Sequence, residues 1–232
     1  MISKHVRQYI VKMSQITILT LVIGKDYRKN LEPLLQSKAD YAKKHGYTYI
    51  QGDESYWDRK RPIAWSKVGF LRQYLDKLPE GALVWLSDAD VLITNPSIRL
   101  EDCMIPYLPA DKDLLMTLDS CGHLNSGNIL LRNTAWQRDY WRRVYEQEDC
   151  VYHIWWENAA MIKLIHTNEV DARKVEVLKD HKKFNAFLRG LPNEPLWQPG
   201  DFLVHFAGVY DPKEIYGLWE RIQKGEVPRL KM

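Results

Sequence analysis

From Ile16 to Leu86 the chain alternates short apolar runs with amphipathic stretches. Ile16–Ile23 is apolar, rich in β-branched residues and closed by Gly24, which predicts a buried first strand. Leu31, Leu34, Leu35 and Ala42 recur at helical spacing, and His45-Gly46 marks the end of that helix. Tyr47–Ile50 reads as a short second strand, and the polar stretch 52–64, with Gly52 and Pro62, as a loop. Val68, Leu71, Leu75 and Leu78 predict a second helix that Pro79-Glu80-Gly81 stops. Leu83–Leu86 is an apolar strand, cut off by Ser87-Asp88-Ala89-Asp90. This β-α-β-α-β order predicts an α/β fold with a mainly parallel sheet flanked by helices.

The second half is more mixed. Leu114–Leu118 and Asn128–Leu131 predict strands. Residues 134–147 predict a helix with Trp136, Tyr140 and Val144 on one face, and Asn158–His166 a shorter one. Phe202–Val204 reads as a late strand ending at His205, and 212–223 as a final helix. No repeat, low-complexity tract or linker interrupts the pattern. A length of 232 residues suits one sizeable domain, so 15–232 read as a single domain and 1–14, polar and basic, as an N-terminal extension. The apolar run 16–23 is far shorter than the about 20 residues a bilayer span needs, and no small-residue cleavage site follows it.

Composition narrows the classes. A net charge of +3 is too small to argue for a nucleic-acid partner, yet it suits a protein that binds an anionic small molecule. Cys103, Cys121 and Cys150 form an odd set without CxxC spacing, which argues against a disulfide framework and for a reducing compartment. Nine Trp and thirteen Tyr exceed what a domain this size needs for its core, but they serve packing as well as they serve the apolar face of a sugar ring.

The acidic triplet carries the chemistry. In open α/β sheets ligands bind beyond the carboxyl ends of the strands, which is where Asp88 and Asp90 fall. Residues i and i+2 of an extended chain point the same way, so both carboxylates can face one cation. Two like charges that close call for a cation or protons between them. Oxygen ligands suit Mg²⁺ or Mn²⁺, and a third ligand from His205, at the end of another strand, favours Mn²⁺. An acidic turn in solvent and a structural histidine read the same way in isolation. Lys67, at the start of the helix before the triplet, is placed to support phosphates together with the helix N-terminus, or is a surface lysine.

Four segments together resemble a known family. They are Ser66-Lys67 with Val84-Trp85-Leu86-Ser87-Asp88-Ala89-Asp90; Leu124-Asn125-Ser126-Gly127-Asn128-Ile129-Leu130-Leu131-Arg132-Asn133 with Trp136; Trp156-Glu157-Asn158-Ala159-Ala160; and Pro199-Gly200-Asp201-Phe202-Leu203-Val204-His205-Phe206-Ala207-Gly208. In order and spacing they are similar to yeast Golgi α-mannosyl- and α-galactosyltransferases and plant xyloglucan xylosyltransferases, and in size the chain resembles small virus-encoded glycosyltransferases. The resemblance spans roughly residues 16–210.

It implies a GT-A (Rossmann-like) fold and a glycosyltransferase. The donor would be a nucleoside-diphosphate sugar, with UDP favoured over GDP, and the acceptor a glycan or glycoprotein. It implies Mn²⁺ held by Asp88, Asp90 and His205, retention of anomeric configuration, and catalytic roles for Glu157 and Asn125 beside the reacting sugar. It also implies that Thr20, Val22, Gly24 and Tyr27 hold the nucleobase and ribose, and that Lys67, Asp88, Ala89 and Gly208 meet the rest of the donor. Trp57, Trp155 and Trp156 are candidates to line the acceptor site.

Two departures stand out. The family has Asp-Gln where this chain has Glu157-Asn158. It also carries a base soon after His-Phe-Ala-Gly, where this chain reads Val209-Tyr210-Asp211-Pro212, so the phosphate contact shifts to Lys213, Lys67 or another base. The missing Golgi anchor points to a cytoplasmic setting, bacterial or viral.

Two alternatives use the same features. A sugar-phosphate nucleotidyltransferase shares the sheet and acidic pair but needs a Gly-rich phosphate loop, and the stretch 24–29 has only Gly24. A non-catalytic carbohydrate-binding module would use the tryptophans without a metal site.

Overall fold

In the computed structural model, residues 16–231 are described. The expected extension, 1–14, lies outside the described residues. The first half is laid down as β1 (Ile16–Leu21), α1 (Lys25–His45), β2 (Thr48–Gly52), α2 (Ser66–Leu75), β3 (Leu83–Ser87), β4 (Val91–Ile93) and α3 (Leu100–Cys103). The second half adds β5 (Leu114–Leu118), β6 (Leu124–Arg132), α4 (Ala135–Tyr145), α5 (Trp156–Thr167), α6 (Glu169–Lys174), β7 (Val175–Leu178), β8 (Ala186–Phe187), β9 (Leu203–His205) and α7 (Pro212–Gln223).

Six strands form the main sheet in the order β2-β1-β3-β6-β5-β7. Five run parallel and β6 alone runs against them. A smaller sheet, β4-β9-β8, lies beside it. Strand alternation sends Leu19, Val84 and Leu86 into a core under α2, α4 and α5. Ile18 and Trp85, one residue out of step, enter the opposite core with Tyr41 of α1 and Phe202. A third core joins α1, α7 and the small sheet through Leu31, Leu34, Val204 and Ile215.

Two differences from the sequence reading bear on the site. First, β6 begins at Leu124 rather than Asn128, so Asn125, Ser126 and Gly127 are strand residues. Their polarity reads as a loop, but Asn125 and Asn128 spend their side chains on Asn185 instead of on water. Second, Asp88-Ala89-Asp90 is a turn between β3 and β4, not extended chain. The Asp88 N–H donates to the Gly127 carbonyl at 2.8 Å and the Phe206 N–H to the Asp90 carbonyl at 3.0 Å. The two carboxylates converge because these bonds fold the turn, not because of strand alternation.

Candidate active site

A cavity of about 790 Å³ opens where β1 and β3 end and β6 begins. That volume is within the usual range for small-molecule sites, about 300–1,000 Å³. The triplet turn forms its floor.

On one side of the turn stands His205. β9 brings it in, with Val91 paired opposite His205 in the β4–β9 ladder. Gly127 makes room for it, because a Cβ there would lie 2.1 Å from the His205 Cε1. One ligand atom from each of Asp88, Asp90 and His205 lies within 4.8 Å of the others.

The imidazole is oriented by a buried amide network. Asn185 Nδ2 donates to Asn125 Oδ1 and to Thr117 Oγ1, each at 3.0 Å, which leaves Asn185 Oδ1 as an acceptor. Asn128 donates to that oxygen at 3.0 Å and His205 Nδ1 at 2.8 Å. The Nδ1 proton is therefore committed, and in the neutral ring Nε2 presents a lone pair. That nitrogen lies 3.5 Å from Asp90 Oδ1. The two meet favourably with a proton or a metal cation between them. Burial alone would raise the Asp90 carboxyl, but a donated proton from His205 and the charge of Lys38 hold it below the ordinary carboxylate value. The donor set of two carboxylates and one imidazole fits Mn²⁺.

On the other side of the turn a lysine stands between two carboxylates. Lys67 Nζ lies 3.1 Å from Asp88 Oδ1 and 2.8 Å from Glu157 Oε1, and donates to Ser126 Oγ at 3.2 Å. Burial works against its charge, but Asp88 and Glu157 outweigh that and hold the ammonium well above the usual lysine value. Burial pushes the Glu157 carboxyl up, with Lys67 opposing. Its Oε2 is buried and has no hydrogen-bond partner among the described residues. The residue before it, Trp156, has φ +46°, a conformation bulky residues avoid, at a cost on the order of 1–3 kcal/mol. That turn starts α5 so that Glu157 points inward rather than to solvent.

A third charge lies beneath the floor. Lys38 of α1 is wholly buried and donates to the Ala89 carbonyl at 3.3 Å, inside the triplet turn. Burial brings its pKa down to about 7 against the pull of Asp90 and Asp88.

The other expected site residues divide. Tyr27, Ala89, Asn125 and Gly208 line the cavity, as do Trp155 and Trp156. Burial and the nearby Asp90 and Asp88 raise the Tyr27 hydroxyl far above its ordinary value. Thr20, Val22 and Gly24 do not line it. The alternation that puts Leu21 and Ile23 on the cavity wall turns Thr20 and Val22 inward, both fully buried, with Val22 packed in the core beneath α1. Gly24 precedes α1, and its N–H goes to Glu54 Oε1 at 3.1 Å. Lys213 sits in the first turn of α7 and does not line the cavity, nor does Trp57.

Lys38, Asn185 and Arg189 were not singled out from the sequence. Lys38 had a signal, since it falls on the apolar stripe of α1 between Leu34, Leu35, Tyr41 and Ala42. Asn185 and Arg189 belong to a short irregular stretch with no period to read.

Comparisons with known proteins agree with this layout. The chain is 26% identical to the probable alpha-1,2-galactosyltransferase gmh2 of Schizosaccharomyces pombe, over 82% of this chain and 64% of that protein. It is 26% identical to the probable alpha-1,6-mannosyltransferase MNN10 of Saccharomyces cerevisiae, over 79% of this chain and 56% of that protein. The chain thus spans less than two thirds of the length of these curated relatives. Among solved structures it superimposes, at 14% identity, on a glycosyltransferase involved in the glycosylation of the major capsid of PBCV-1. The TM-score is 0.67, with 88% of this chain and 98% of that chain covered, and the shared fold is GT-A. No helix among the described residues is long and apolar enough to cross a membrane. The profile of the galactosyl transferase GMA12/MNN10 family matches residues 12–111 and 107–214, most of the chain, and the chain belongs to that family.

Proposed function

We propose that this protein is a metal-dependent glycosyltransferase. It moves a sugar from a nucleoside-diphosphate sugar, UDP-linked by the motif resemblance, to a hydroxyl of a glycan or glycoprotein, with retention of configuration. The observation that carries this reading is the convergence of Asp88, Asp90 and His205, one ligand atom of each within 4.8 Å of the others, at the floor of the cavity. The names of the relatives, a galactosyltransferase and a mannosyltransferase, support the reaction class.

Asp88, Asp90 and His205 would hold the cation, which when bound offsets the negative charge that develops on the diphosphate as the sugar C1–O bond breaks. The remaining work falls to the chain. Asn185 keeps the His205 proton on Nδ1, so that Nε2 stays a ligand. Lys67 fixes one oxygen of Glu157 and leaves Oε2 free at the cavity wall. That oxygen stabilises the positive charge growing on the anomeric carbon, or attacks it to form a short-lived glycosyl ester. Trp155 and Trp156 offer faces to the acceptor sugar.

The test is the identity of the product. With Mn²⁺ and a panel of UDP- and GDP-sugars, the protein is expected to release free nucleoside diphosphate. Release of pyrophosphate from a nucleoside triphosphate and a sugar 1-phosphate, with none of the diphosphate, would instead indicate a nucleotidyltransferase. Sugar binding indifferent to Mn²⁺, with no turnover, would indicate a binding module.

A further inference from the structure

We propose that Arg189 is the donor-diphosphate clamp of this protein, taking the role that no base downstream of His205 fills. The inference rests on the functional reading above and deepens it.

Two Lys or Arg side chains line the cavity, Lys67 and Arg189. Lys67 already serves two carboxylates. Arg189 makes no ion pair among the described residues, and its one hydrogen bond is from Nη2 to the Ala207 carbonyl at 3.1 Å. The guanidinium thus keeps most of its five donors, in a fixed fork that suits phosphate oxygens.

Its position follows from the metal ligand. In the β8–β9 pair, Phe187 lies opposite His205, and their rings stand 5.5 Å apart. Arg189 is two residues beyond Phe187, and both side chains line the same cavity as His205. Gly208 clears its path, since a Cβ there would lie 2.1 Å from Arg189 Nη2. With φ +73°, position 208 also disfavours any other residue.

Formal charge makes the same demand. The lining carboxylates Asp88, Asp90, Asp119 and Glu157 carry four negative charges against three from Lys67 and one divalent cation, so without Arg189 the lining has no positive charge to spare before the donor arrives. A diphosphate bringing about two more negative charges needs a further cation at the wall. Arg189 is the lining side chain with charge to give.

The experiment measures binding of UDP and of uridine to the full chain in Mn²⁺, for wild type, Arg189→Gln and Gly208→Ala. Wild type is expected to bind UDP well above uridine. Arg189→Gln is expected to lose about 10- to 100-fold in UDP affinity, the effect of one charged hydrogen-bonded contact, with uridine binding and melting temperature retained. Gly208→Ala, which pushes the guanidinium aside, should show the same selective loss. It decides the matter should Arg189→Gln fail to fold. UDP affinity within twofold of wild type in either folded variant overturns the assignment alone. A wild type that binds UDP no better than uridine, with or without Mn²⁺, overturns the functional reading with it.

Discussion

Asp88 and Asp90 are two residues apart in one turn, and their surroundings differ. Asp88 faces a built-in cation, Lys67 at 3.1 Å, which Glu157 shares at 2.8 Å. Asp90 faces the His205 imidazole at 3.5 Å, above the Lys38 side chain that is sealed under the floor. The first, closed side is bridged by a lysine of the chain itself. The second, open side is where, on the proposed function, a cation from solution binds. One turn therefore joins a built-in cation to a proposed metal site, and the variants below should separate the two.

The largest effect is expected on the open side. Asp90→Ala removes a ligand and should cut Mn²⁺-dependent turnover by on the order of 100-fold or more, with the fold intact by circular dichroism. Near-normal turnover would remove Asp90 from the metal site. Next comes Glu157→Gln, which keeps the shape but not the charge. It should lower kcat by on the order of 100-fold and leave donor KM within a few-fold. Equal losses in both would make Glu157 a binding residue only.

Lys67→Met breaks the closed side and should act on stability first. It leaves the Glu157 carboxyl buried and unpaired, which costs about 3–5 kcal/mol at neutral pH by urea unfolding. Burial already raises that carboxyl, so without Lys67 the folded form holds its proton to higher pH than the unfolded one. Lowering the pH should therefore restore part of the loss. A pH-independent loss would point to packing alone.

The last effect lies beneath the floor and shows in the pH dependence of stability. Lys38 has a folded pKa of about 7 against 10.5 unfolded. Between those values the unfolded chain binds more protons, so metal-free wild type should gain stability as pH rises from 7 toward 10.5. Lys38→Met should lack that slope, so any advantage it holds near pH 7 should shrink as pH rises. Parallel melting curves for the two proteins across that range would contradict a buried, titrating lysine.

The closed and open sides were unequally legible in the sequence. Asp88 and Asp90 stand at the end of an apolar strand, so their convergence could be read before any coordinates, whereas Lys67 reads as a phosphate support or a surface lysine and is found between Asp88 and Glu157. The strand alternation invoked for the carboxylates was the wrong reason, since backbone bonds from Gly127 and Phe206 shape the turn. His205 was found from its place at the end of an apolar strand, but what orients it was not. Asn185 immediately precedes a two-residue strand too short to show a period, and its value comes only from hydrogen bonds to residues far apart in sequence. Thr20 and Val22 were misplaced for a local reason. One step along a strand exchanges cavity for core, and sequence gives the alternation without saying which phase meets the ligand.

The most direct test of the open side is thermal stabilisation by UDP, with and without Mn²⁺, in wild type and in Asp90→Ala. A ligand that binds only the folded state raises its melting temperature with concentration. Wild type should be stabilised by UDP strongly in Mn²⁺ and weakly in chelator, and Asp90→Ala should lose the Mn²⁺-dependent part. Equal stabilisation by UDP with and without Mn²⁺, unchanged in Asp90→Ala, would contradict a metal site built on this turn.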